Sequence, residues 1–80
     1  MNTFRTTDKQ KVRIYEIATS MKEHGLSDAF IAHSVKLAEY YLGAFDLLEL
    51  WEREEDEKER NQIIADLQDE IDEFKEHPTY

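Results

Sequence analysis

Between Leu37 and Trp51 the chain reads LAEYYLGAFDLLELW, and its only charged residues are Glu39, Asp46 and Glu49. At about 100° per residue these three fall on one narrow strip. A helix drawn through the run is therefore apolar over most of its circumference and has to be covered over most of it. No stretch approaches the roughly 18 uninterrupted apolar residues of a membrane crossing. Other helices must supply the cover, and the rest of the chain offers them.

The first is well signalled. Thr7 with Gln10 three residues on makes a capping box, and Asp8 suits the first turn. Val12, Ile14, Tyr15, Ile17, Ala18 and Met21 recur at helical spacing and predict one broad apolar face. His24 falls in the last turn, Gly25 is the natural left-handed stop, and Leu26 can fold back over that turn. Ser27 then caps a second helix, which runs from residue 28 to about 52 with no convincing stop. Gly43 inside it predicts a kink or a close helix crossing. The third is marked by Ile64, Leu67, Ile71 and Phe74, spaced three, four and three, with Ile63 beside them. The expectation is an all-α, single-domain bundle of about three helices, near 8–24, 28–52 and 57–76: a helix-turn-helix hairpin plus a C-terminal amphipathic helix.

Residues 52–62, EREEDEKERNQ, contain no apolar side chain. Glu54 with Lys58 and Asp56 with Arg60 sit four apart with the acid first, the order that supports a helix. The packed seam of the third helix begins only near Ile63, so the chain is expected to turn between 52 and 60. The charged run reads as solvated helix and corner, not as a site.

Charge is unevenly placed. The chain carries −9 overall; residues 1–36 are slightly basic, while residues 37–80 hold fifteen acids against four Lys/Arg. That acidic half disfavours phosphate and leaves the N-terminal part, with Arg5, Lys9, Lys11 and Arg13, as the place for a nucleic-acid contact. The HGLSDAFI corner has some features of a DNA-binding helix-turn-helix. Its second helix, however, offers Lys36 as its only cation to reach phosphates or base edges. There is no cysteine, and MNTFRTTDKQKV has no apolar leader segment. A cytoplasmic setting is expected.

Catalytic signals are weak. Asp66, Asp69, Glu70, Asp72, Glu73 and Glu76 include pairs three or four apart that suit a divalent cation, as almost any acidic surface helix does. His24, His33 and His77 lie at no metal-ligand spacing, and no phosphate loop, Ser-centred elbow or HExxH is present. No enzyme, metal or cofactor is expected. What stands out is excess apolar surface. In a three-helix monomer Tyr40, Leu47, Leu50 and Trp51 would leave an exposed patch, and such patches mark interfaces. The sequence thus points to a small acidic interaction or regulatory module that pairs with itself, as a helical dimer, or with another protein. A nucleic-acid-associated regulator is the alternative, and a carboxylate-dependent hydrolase a weaker one.

Overall fold

A computed structural model describes residues 6–76. Four helices follow one another: α1 (Asp8–Glu23), α2 (Asp28–Tyr40), α3 (Leu42–Arg53) and α4 (Glu57–Glu76). Both halves of the capping box at Thr7 are formed, with Gln10 N donating to Thr7 Oγ1 at 3.2 Å and Thr7 N to Gln10 Oε1 at 2.8 Å. At the other end of α1, Gly25 takes φ +85°. Its N–H donates to the Lys22 carbonyl and that of Leu26 to the Met21 carbonyl, the paired bonds of a Schellman stop. Leu26 then packs against the core. Ser27 Oγ accepts from Phe30 N and starts α2.

The uninterrupted helix expected over 28–52 is not what forms. Tyr41 adopts an extended conformation (φ −136°, ψ 112°), ending α2 and starting α3. The break leaves little backbone unsatisfied: Tyr41 N–H donates to the Leu37 carbonyl, and its own carbonyl accepts from Ala44 N and Phe45 N. Gly43 lies in the first turn after the break. A Cβ there would sit 2.6 Å from Cζ of the Tyr41 ring, so the glycine leaves room for that ring to fold over α3. The expected kink is therefore a true break, two residues earlier than the glycine.

Breaking at Tyr41 lets the apolar run cover itself. α2 and α3 pack against each other, and both touch α1 and α4, while the described parts of α1 and α4 make no helix–helix contact. The α2–α3 pair is thus the centre, flanked by α1 on one side and α4 on another. Leu37 and Ala38 of α2 meet Phe45, Leu48 and Trp51 of α3 in one cluster, closed by Ile14, Ile17 and Met21 from α1 and by Leu67 and Ile71 from α4. Of the apolar residues expected to stay bare, Trp51 is buried by this packing, while Tyr40 and Leu50 remain about half exposed.

The wet segment turns as expected. Glu54 ends α3, and its Oε1 accepts from Glu55 N and Asp56 N. Asp56 caps α4, its Oδ1 accepting from Lys58 N and its carbonyl from Arg60 N. No helix among the described residues is long and apolar enough to cross a membrane.

Candidate functional site

Helical phase decides which apolar residues of α1 reach the core. Ile14, Ile17 and Met21 share one face and are buried. Val12 is two residues from Ile14, about 200° around the helix, and is 60% exposed; Tyr15 is 57% exposed. The broad apolar face expected for this helix is therefore half core and half surface. Tyr15 and Ala18 border an open groove of about 580 Å³ between α1 and α2, whose other wall is Ile31, Val35 and Tyr40. Lys36, Glu39 and Asp28 stand on its rim. At one end Lys22 of α1 is ion-paired to Asp28 of α2. At the other, Tyr40 and Glu39 share a polar hollow with Thr6 and Lys11.

The four residues expected to form one contact surface differ in exposure and are divided between α2 and α3. Tyr40 is 47% exposed beside the groove, and Leu50 is 47% exposed on α3. Leu47 is half-buried against the core. Trp51 is 3% exposed and belongs to the core itself. Its indole is held from two sides: the His24 ring meets it edge-on at 5.2 Å, and the Arg60 guanidinium lies 4.7 Å from its centroid. Arg60 Nε also donates to the Trp51 carbonyl. His24 Nδ1 lies 2.8 Å from the Ser20 carbonyl, which can only accept, so the proton sits on Nδ1 and Nε2 accepts from Arg60 at 2.8 Å. This cluster ties the end of α1 to the end of α3 and the start of α4.

Among the basic residues singled out, Arg5 lies outside the described residues. Lys9 and Lys11 are exposed. Arg13 faces three carboxylates: Nε donates to Glu49 Oε2 at 3.0 Å, and the terminal nitrogens pair with Glu52 and Glu16. Hydrogen bonds to Glu49 and Glu52 outweigh desolvation and raise its pKa further. Its charge is directed at α3 and not presented alone to solvent. Glu49 thus pairs across the bundle with α1, a contact that helical spacing does not reveal.

On α4 the carboxylates point several ways. Asp66 accepts from Gln62 and Asp72 from Gln68. Burial pushes the Glu70 carboxyl up from its ordinary value, with Glu73, Asp69 and Asp66 adding to the shift. Among the described residues no three His, Asp or Glu side chains converge as a metal site. His33 is exposed, near Lys36 and Phe74; His77 lies outside the described residues. Searches of family models, of curated proteins and of solved structures found no match to this chain.

Proposed function

We propose that this chain is a protein–protein interaction or regulatory module with no catalytic activity of its own, and that its docking face is the α1–α2 groove. The observation that supports this reading is the groove itself. Its floor and walls are alkyl and aryl carbon from Ala18, Ile31, Val35, Tyr15 and Tyr40, and its charges stand on the rim. An apolar centre with a polar rim is the anatomy of a protein contact. Two half-exposed tyrosines add to the case, because that residue type carries much of the energy of such contacts.

A photoreactive benzoylphenylalanine in place of Tyr15 tests the reading in intact cells. Covalent adducts are expected from position 15 and not from position 69, an exposed site on α4. No adduct from position 15, or equal capture from both positions, would remove the groove as a docking face.

A further inference from the structure

We infer that the occupant of the α1–α2 face is a second copy of this chain, docked about a two-fold axis; the inference rests on the interaction reading above and names its partner. Charge is the first argument. α1 and α2 together carry five Lys/Arg and five Asp/Glu, whereas α4 carries eight acids against three cations. α4 packs on α2 and α3 and not on α1, so its charge is carried on a different side of the bundle. The bundle is 20 Å across at its narrowest, and fields from exposed charges are screened over about 8 Å at physiological ionic strength. Two chains of net charge −9 therefore meet with least repulsion through α1 and α2, the helices with the smallest acidic excess. Nucleic acid or an acidic peptide calls for a net positive face, and a basic peptide would be drawn to α4 instead.

Area is the second argument. Tyr15 and Tyr40 of the groove are each about half exposed and together present roughly 200 Å². With the rest of the groove lining, a symmetric pair buries at most on the order of 1,200 Å², the lower bound for a specific interface. The dimer is accordingly reversible and concentration-dependent, not obligate.

Symmetry is the third. Lys36 and Glu39 both stand on the groove rim, opposite in charge and one helical turn apart. When two copies of α2 cross antiparallel, each Lys36 faces the other copy's Glu39, and a two-fold axis makes that pair twice. The surface is its own complement.

Sedimentation equilibrium from about 1 μM to about 1 mM, a range that spans weak self-association, tests the inference. Tyr15→Glu is expected to weaken the dimer by on the order of a hundredfold, because one substitution changes both halves of the contact. Its helical circular dichroism should be unchanged, since the side chain lies outside the core. Lys36→Glu and Glu39→Lys should each weaken it by about tenfold, while the double reversal K36E/E39K restores it. A monomer throughout the range, a dimer indifferent to Tyr15→Glu, or a double reversal no better than the singles would overturn the inference. The mass of the adduct from photo-crosslinking at position 15 separates the two readings. Twice the chain mass supports the second copy, a different mass refutes it while leaving the interaction module standing, and no adduct refutes both.

Discussion

Replacing Ser34 by alanine should make this protein more stable, and the reason can be followed atom by atom. Ser34 sits on the face of α2 that meets the core, is 0% exposed, and its Oγ has no hydrogen-bond partner among the described residues. A hydroxyl left unsatisfied in the interior costs about 1–3 kcal/mol, which the substitution recovers. Serine to alanine also gains about 0.5 kcal/mol of helix propensity. Against this, removing one oxygen forfeits several contacts of about 0.1–0.2 kcal/mol each and leaves a void smaller than a methyl group. The balance is a gain of about 1 kcal/mol, which for a chain of this size raises Tm by roughly 4–8 °C. Urea unfolding followed by circular dichroism and by the fluorescence of Trp51, at one fixed protein concentration, reads it directly. Ser34→Val is the control for shape. It also removes the hydroxyl, but it adds volume to a closed core, and should lose about 1–3 kcal/mol. A Ser34→Ala protein less stable than wild type by 1 kcal/mol or more would refute the reasoning, because it would mean that the hydroxyl is bonded in solution.

Three further substitutions probe the frame of the bundle. Gly43→Ala puts a methyl group 2.6 Å from the Tyr41 ring; despite the better helix former, stability should fall by about 1 kcal/mol, and a double-mutant cycle with Tyr41→Ala should be strongly non-additive in chemical denaturation. Arg60→Ala removes the cation over Trp51 and the bonds to the Trp51 carbonyl and His24; a loss of about 1–2 kcal/mol is expected, and Arg60→Lys, which lacks the planar fork, should recover only part of it. Glu70→Gln gives a pH test. Burial raises the folded-state pKa of Glu70, so the folded chain holds that proton more tightly than the unfolded one, and the charged carboxylate costs stability above its folded pKa. The variant should be more stable than wild type at pH 7, and the difference should vanish below the ordinary carboxyl value of 4.5, as denaturant melts at pH 7 and pH 3.5 would show.

Local rules carried much of the architecture. The caps at Thr7, Ser27 and Gly25 are decided by a few neighbouring residues, and each forms as its side chains dictate. The seam of α4 is read from spacing alone, and Leu67 and Ile71 are buried where it places them. The break at Tyr41 was hidden because the apolar period runs through it unchanged. Leu37, Ala38, Tyr41, Phe45 and Leu48 would share a face in one straight helix as well as in two. What selects the break is tertiary: folded at Tyr41, α2 and α3 bury their faces against each other, and Gly43 makes room for the ring at the joint. Spacing can show that Gly43 is unusual in a helix, but not which neighbour needs the space.

Where the apolar surplus ends up depends on the same break. Counting apolar residues against three helices leaves an excess, and the count is sound; it fails because the number of helices is four. With α3 folded onto α2, Trp51 becomes core and Leu47 is half covered, while Tyr40, at the last turn before the break, stays exposed. Tyr15, which lines the same groove, is on α1, where a loose apolar pattern conceals two faces. The phase of Val12 and Tyr15 relative to Ile14 and Ile17 was the available signal: a stripe that spans 200° around one helix is more than the two neighbours α2 and α3 bury. On a surface helix of a small domain, apolar residues on the far side of such a stripe are candidates for a second contact. The near-neutral charge balance of α1 and α2, beside an α4 with eight acids against three cations, is what favours the second copy proposed for that contact.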